Sequence, residues 1–181
     1  GSYRIIWDSG AGEDIISFSW FLIFIALLSV VSAFHGIRVL RFKSRTTMHQ
    51  QWQDLWLAFL LVIASIGIMT YGWFIKVTLL TYFPLIGLFL GASQLYYWFT
   101  KPKLTSHWVI EHIVGMMSCC IAVITAFIVF GAPRLLQVDM VSLWLWFLPT
   151  IIFVPLIIIF TNYYGRKFSR QQSANKVQLR G

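Results

Sequence analysis

Five long, uninterrupted apolar segments constrain this sequence more than any other feature. They run over about residues 15–35, 55–74, 79–99, 108–130 and 143–164. Each is close to the ~20 residues that an α-helix needs to cross roughly 30 Å of bilayer hydrocarbon. The runs are continuous rather than alternating, which favours helices over the strands of a membrane barrel. We therefore predict an all-α fold, a polytopic membrane helical bundle with five transmembrane helices.

The composition excludes the other classes of protein. Hydrophobic residues make up 59% of the 181 residues and charged residues only 11%. A soluble domain usually carries about 25% charged residues, and disordered chains and coiled coils also need more charge than this. The formal net charge of +8 is not arranged as a nucleic-acid-binding stripe. We therefore expect the lipid bilayer, and not a nucleic acid, as the partner of these basic residues.

The basic residues also predict an orientation. Eleven of the fourteen Lys and Arg fall in the first loop, the third loop and the C-terminal tail: Arg38, Arg41, Lys43, Arg45, Lys101, Lys103, Arg166, Lys167, Arg170, Lys176 and Arg180. The opposite side holds Arg4, Lys76 and Arg134. Cytoplasmic loops carry the excess of positive charge, so we predict the N-terminus out and the C-terminus in.

The same reasoning divides the chain into three parts. Residues 1–14 are predicted to be a polar extracytoplasmic segment, residues 15–164 the transmembrane domain, and residues 165–181 a basic cytoplasmic tail. We expect the tail to be loose after Arg166, because it is polar throughout.

Aromatic and small residues predict how the spans are anchored and packed. Aromatic residues near the span ends are typical of an interfacial belt; they are Trp52, Trp56, Trp73, Trp98, Trp108, Trp144, Trp146, Tyr163 and Tyr164. Small residues four apart, Gly87 with Gly91 and Ala122 with Ala126, allow helices to approach closely.

Six ionisable side chains are predicted to converge at the cytoplasmic face. They are the four histidines His35, His49, His107 and His112, together with Asp54 and Glu111. His107 and Glu111 are four residues apart and share a helix face, while His112 points about 100° away. Ionisable groups inside a membrane are costly and by default indicate a site. The alternative is that Glu111 is hydrated or paired with His107 or a loop arginine.

Three functional hypotheses follow from this cluster. A metal site would use His35, His49, His107 and His112 to bind zinc or iron, with Glu111 and Asp54 as catalytic carboxylates in a redox or hydrolytic role. A b-type haem would use His35 and His112 as its axial ligands. A proton-coupled transporter or channel would use Glu111 as the titrating group, and would need to act as an oligomer because five spans make a small carrier.

A fourth hypothesis belongs to a different class. The chain has no GxSxG, P-loop, GxGxxG or CxxC motif, so no complete catalytic signature is present. Together with the small size, this supports an alternative to the metal or haem site, which is the favoured hypothesis: a non-catalytic subunit or assembly factor of a larger membrane complex, bound to other membrane subunits or to copies of itself.

The last two spans resemble a known sequence pattern. The segments EHIVGMMSCCIAVITAFIVF and WLWFLPTIIFVPLIIIFTNYYGRK are similar to a family of predicted bacterial multi-span inner-membrane proteins classed as a domain of unknown function. The resemblance covers residues 108–167, with looser support from GIRVLRFK and the segment around His49. It implies an integral protein of the bacterial inner (plasma) membrane, and it places these residues on the family's characteristic positions: His107, Glu111, His112, Ala126, Phe127, Pro149 and Pro155.

Overall fold

The described part of the chain folds entirely as helices. The computed structural model describes residues 10–48, 51–102, 106–131, 135 and 143–178, with side chains for all of these except residues 10–14, 130, 143–146 and 175–177. Within this part there is no strand, and five helical segments are long and apolar enough to cross a membrane. The prediction of an all-α chain with five potential transmembrane helices is therefore confirmed.

Six α-helices make up these five segments. They are α1 (Gly10–Arg38), α2 (Trp52–Phe74), α3 (Thr78–Tyr82), α4 (Pro84–Phe99), α5 (His107–Ala126) and α6 (Leu143–Gln178). A 3-10 turn (Val39–Phe42) follows α1, and a π-helical turn (Phe127–Gly131) follows α5. Helices α3 and α4 together form the third span, Thr78–Phe99.

The division between α3 and α4 has a simple cause. Pro84 has no backbone N–H, so it cannot continue a helix from the preceding turn but fits well at the start of a new one. Phe83 keeps helical dihedral angles, and its N–H bonds the carbonyl of Leu79. The chain therefore continues in nearly the same direction.

The packing order differs from the order along the chain. α1 packs mainly against α5 and α2, α4 packs mainly against α2, and α6 packs against α5 and its π-helical turn. The order across the bundle is thus α6–α5–α1–α2–α4, with α1 in the middle. The core of the bundle is aromatic. The rings of Phe21 and Phe83 meet edge to face with their centroids 5.0 Å apart, and Phe24 and Leu61 are fully buried beside them.

Glycines create the closest helix contacts. A Cβ on Gly115 would lie 2.8 Å from the Cα of Gly36, so the backbones of α1 and α5 touch there. A Cβ on Gly87 would lie 2.7 Å from Ser65 Oγ, and one on Gly91 would lie 2.8 Å from a methyl of Val62. The predicted close contact through Gly87 and Gly91 is confirmed, with α2 as the partner.

The aromatic residues predicted to form an interfacial belt differ in their exposure. Trp52 is 72% exposed, and Trp73 also faces outward near the other end of α2, as anchors would. The assignment of Trp98 to the belt is wrong, because this side chain is 1% exposed and packs against Phe42 and His35 inside the bundle. The side chains of Trp144 and Trp146 lie outside the described residues.

The C-terminal segment also differs from the expectation. Instead of becoming loose after Arg166, α6 continues as one helix to Gln178 and includes Pro149 and Pro155 in its interior. The rings of Tyr164 and Phe168, one helical turn apart, stack at 5.8 Å. This ring pair supports the helix at the point where the extension begins.

Candidate functional site

The ionisable side chains meet at one end of the bundle, here called the basic end, which carries Arg38, Arg41, Lys43, Arg45 and Lys101. His35 lies in the last turns of α1, Asp54 in the first turn of α2, and His107, Glu111 and His112 in the first turns of α5. The antiparallel packing of neighbouring spans brings these helix ends together. His49 lies outside the described residues.

His35 and Glu111 form the centre of the site. His35 Nε2 lies 3.4 Å from Glu111 Oε2, at the long end of a hydrogen bond in which the ring N–H donates to the carboxylate. His35 is only 5% exposed, and the rings of Tyr97 and Trp98 meet it edge to face at 5.6 and 5.5 Å. The imidazole is thus held in one orientation by α4.

His107 approaches the same carboxylate from the other side. Its Nδ1 lies 3.9 Å from Glu111 Oε1, within reach of a charge interaction but too far for a direct hydrogen bond. The ring stacks on Tyr97 with the centroids 5.5 Å apart. Within the described part of the chain this Nδ1 is buried without a hydrogen-bond partner, which is the situation that a bridging water relieves.

His112 does not join this group. Its Nδ1 lies 2.7 Å from the carbonyl oxygen of Gly36. A carbonyl only accepts, so Nδ1 carries the proton and donates it. The contact is possible because α1 and α5 touch at Gly36 and Gly115. His112 therefore reinforces the helix crossing.

The partner of Asp54 is an arginine, whereas the side chains next to Glu111 are histidines. Arg38 Nε donates to Asp54 Oδ1 at 2.5 Å, and Arg38 Nη2 donates to Gln51 Oε1 at 3.0 Å. Asp54 is buried, and it borders the same narrow gap as His35. Arg38 was assigned only to orientation by the sequence, so its role as the cation beside Asp54 was missed.

Arg45 was missed in the same way. Its guanidinium donates to the carbonyl oxygens of Trp98 (3.1 Å), Tyr97 (2.8 Å) and Thr100 (3.2 Å), and it lies 4.3 Å from the centre of the Tyr97 ring. The carbonyls at the end of α4 have no partner inside the helix, and an arginine satisfies them. Arg45 thereby fixes Tyr97, on which His107 stacks.

Two cavities border the site. A surface cavity of about 170 Å³ at the basic end is lined by Arg45, Tyr97, Lys101 and His107, among others. A larger cavity of about 450 Å³ lies between α1, α4, α5 and α6, and Glu111 lines its end nearest to the site. His107 thus belongs to the first cavity and Glu111 to the second.

Of the predicted metal ligands, the structure brings His35 and His107 to Glu111 and places His112 at the carbonyl oxygen of Gly36. Among the described residues, no group of three or more His, Cys, Asp or Glu side chains could hold a metal ion. His35 and His112 do not fit as axial ligands of one haem, because His112 is bonded to the backbone beside His35 and the helices are in contact there. His35 is instead enclosed by Glu111 and the rings of Tyr97 and Trp98.

Comparison of this chain with protein-family models, curated proteins and solved structures finds no match. The resemblance of residues 108–167 to a bacterial inner-membrane family therefore stays a prediction.

Proposed function

We propose that Glu111 is a proton-exchange site, and that the protein is a proton-coupled transporter or channel acting as an oligomer. One observation carries this proposal. His107 lines the surface cavity, Glu111 lines the cavity within the bundle, and the two side chains are 3.9 Å apart. A proton moving between the two cavities would need to cross only this distance, which one bridging water can span.

The surroundings of Glu111 contain groups that would stabilise its ionised form and groups that would stabilise its protonated form. His35 and His107 each face one oxygen of the carboxylate, and they can stabilise its negative charge, His35 by a hydrogen bond and His107 by its charge when protonated. Val114 and Ile121, further along the wall of the cavity, favour the neutral acid. A group whose two forms are both accommodated can take up and release a proton.

The surface cavity provides the connection to water. Its volume of about 170 Å³ exceeds the ~30 Å³ share of one liquid water several-fold. Two buried nitrogens, His107 Nδ1 and Arg45 Nε, have no hydrogen-bond partner within the described residues and belong to side chains that line it. Water in this cavity would provide hydrogen-bond partners for both nitrogens.

The competing hypotheses have less support. No contact among the described residues favours a zinc, iron or haem site or a non-catalytic subunit role over proton exchange. A metal role would be carried by His35, Glu111 and His107, which are the closest of the predicted ligands.

Infrared spectroscopy of the reconstituted protein tests the proposal. As the buffer pH is stepped, we expect the C=O stretch of a protonated carboxylic acid to appear and disappear, and Glu111→Gln to abolish this band. Asp54→Asn is the matched control, because it removes another buried carboxylate of the same end and should keep the band. A pH-dependent band that survives in Glu111→Gln would contradict the proposal, as would proton flux into liposomes that this variant leaves unchanged.

We also propose that the basic end is cytoplasmic, with the N-terminus outside, in a bacterial inner membrane. The support is the excess of Lys and Arg at that end. Reporter fusions after Arg45 and after Arg170 should both report the cytoplasm, whereas a fusion after Lys76 should report the outside. The reverse pattern would overturn the orientation.

A further inference from the structure

The cavity beside Glu111 is long and narrow. Along α5 it is lined from Glu111 to Thr125, which corresponds to about 21 Å at 1.5 Å per residue. This is about two thirds of the ~30 Å thickness of bilayer hydrocarbon. Its volume of about 450 Å³ falls in the range of about 300–1,000 Å³ that is usual for small-molecule sites.

The wall of the cavity is apolar with a few polar groups. On α5 the residues Glu111, Ser118 and Thr125 follow one another at intervals of seven, so they share one face of the helix. Ser118 and Thr125 are buried. Among the described residues that line the cavity, only Glu111 can carry a charge, and it lies at the end nearest to the basic end of the bundle.

The cavity opens sideways, between α4 and α6. Helices α4 and α6 form its two sides, yet α6 packs mainly against α5 and not against α4 over the described residues. Phe89 on α4 and Ile158 on α6 line the cavity and are nevertheless 73% and 53% exposed. These side chains mark a lateral opening through which a molecule dissolved in the membrane could enter.

From this geometry we infer that the cavity binds a lipophilic organic cation with a single alkyl chain, and that the cation exchanges with the proton of Glu111. The inference rests on the proposed proton-exchange function and names the substrate class of that site. The cationic head would lie at Glu111, at interfacial depth, and the alkyl chain would lie along the cavity toward Thr125.

The charge balance selects a cation over a neutral or anionic molecule. Binding breaks the O–H bond of the Glu111 acid, the proton leaves through His107 to the surface cavity, and the carboxylate forms an ion pair with the cation. One positive charge replaces another, so the apolar cavity never holds an unpaired charge. An anionic head would need Glu111 to stay protonated, and a neutral head would displace no proton.

The other charged groups around Glu111 are compatible with this exchange. His35 on α1 and His107 on α5 both face Glu111. Tyr97, on α4, lies beside these two histidines. Arg45 is bound by three backbone carbonyls at the end of α4. The face of α6 that lines the cavity contributes only hydroxyl and apolar groups, Thr161 among them.

Calorimetry with dodecyltrimethylammonium tests the inference, because this cation has no proton of its own. Titration of the detergent-solubilised full chain in buffers of different ionisation enthalpy should show release of up to one proton per bound cation. Dodecanol, which has the same chain and a neutral head, should release none. We expect Glu111→Gln to weaken binding of the cation at least tenfold and to abolish the proton release.

A matched pair of variants tests the position of the alkyl chain. Ser118→Phe would fill the cavity and should weaken binding at least tenfold, whereas Val123→Phe adds the same ring on an exposed position of α5 outside the lining and should leave binding unchanged. The inference is overturned if the cation does not bind, or if both Phe variants bind as the unaltered chain does. Binding without proton release would instead overturn the exchange.

The two proposals fail in different ways. A carboxylic acid band that depends on Glu111, together with no binding of the cation, overturns only the substrate class. Binding of the cation that is sensitive to Ser118→Phe, with no Glu111 band at any pH, overturns proton exchange and leaves a cation site.

Discussion

At the scale of single residues, the two buried carboxylates of the basic end are stabilised in different ways. Glu111 lies between two imidazoles and borders a cavity, whereas Asp54 is held by the guanidinium of Arg38. An imidazole can be neutral or charged near neutral pH, but a guanidinium is always charged. Asp54 thus has a permanently charged partner, whereas the partners of Glu111 can change their charge.

The pairing of Arg38 with Asp54 predicts a coupled effect on stability. Arg38→Met should cost about 3 kcal/mol of unfolding free energy, because Asp54 stays buried after losing its cationic partner. The double variant Arg38→Met/Asp54→Leu should recover most of this loss. Denaturant unfolding in mixed micelles measures both. The single variant Asp54→Leu completes the cycle, and a double-variant loss equal to the sum of the two single losses would show that the pair is not coupled.

The sequence predicted part of this arrangement. The i, i+4 spacing of His107 and Glu111 is local to one helix, so their proximity could be read directly. The partner of Asp54 comes from α1, and which of Arg38, Arg41 and the other loop cations pairs with it depends on how α1 and α2 pack. Counting charges predicts only that these residues lie on the cytoplasmic side, so it cannot identify the one that pairs with Asp54.

At the scale of the helices, the crossing of α1 and α5 determines whether the site forms. His35 lies directly before Gly36 and Glu111 lies one turn before Gly115, so the backbone contact of the glycines sets the distance between the two ionisable side chains. The hydrogen bond from His112 to the carbonyl of Gly36 supports the same crossing.

A methyl group at this crossing should therefore be costly. Gly115→Ala would place a Cβ 2.8 Å from the Cα of Gly36 and 3.0 Å from the carbonyl oxygen of Ser32, and backbone atoms cannot move aside as side chains can. We expect a loss of about 1–3 kcal/mol in unfolding free energy. Gly67→Ala is the control, since its Cβ would meet nothing within 4 Å and should leave stability unchanged or slightly raise it. Equal stability of the two variants would contradict the importance of the crossing.

Small-residue spacing indicated one of the two close helix contacts. The pair Gly87 and Gly91 was recognised, and it packs on α2. The crossing of α1 and α5 was missed, although Ser32 and Gly36 have the same four-residue spacing on α1. The partner Gly115 could not be identified, because lipid-facing and helix-facing surfaces are equally apolar in a membrane protein and sequence patterns separate them poorly.

At the scale of the whole molecule, α6 is much longer than a bilayer requires. Its 36 residues correspond to about 54 Å, compared with roughly 30 Å of hydrocarbon. The hydropathy of the sequence predicts the apolar part of this helix well. It does not predict that the helix continues past Arg166, because the residues that follow are polar. Their helicity depends on continuing a helix that is already nucleated.

Hydrogen exchange should reveal this extension. We expect backbone amides over residues 167–174 to exchange at least tenfold more slowly than those over residues 43–48, where the chain has left the 3-10 turn that follows α1. Mass spectrometry of peptides from the reconstituted protein measures both segments in one experiment. Equally fast exchange in the two segments would restore the view of a loose tail.

The unequal attachment of the helices has a consequence for how the molecule would move. α1 and α5 are in backbone contact, while α6 is held by α5 and its π-helical turn. Swinging of α6 about α5 would change the width of the gap between α4 and α6 without altering the distance between His35 and Glu111, since these side chains lie on α1 and α5. The gap and the pair of ionisable side chains are thus held by different helix contacts, and one can change while the other stays assembled.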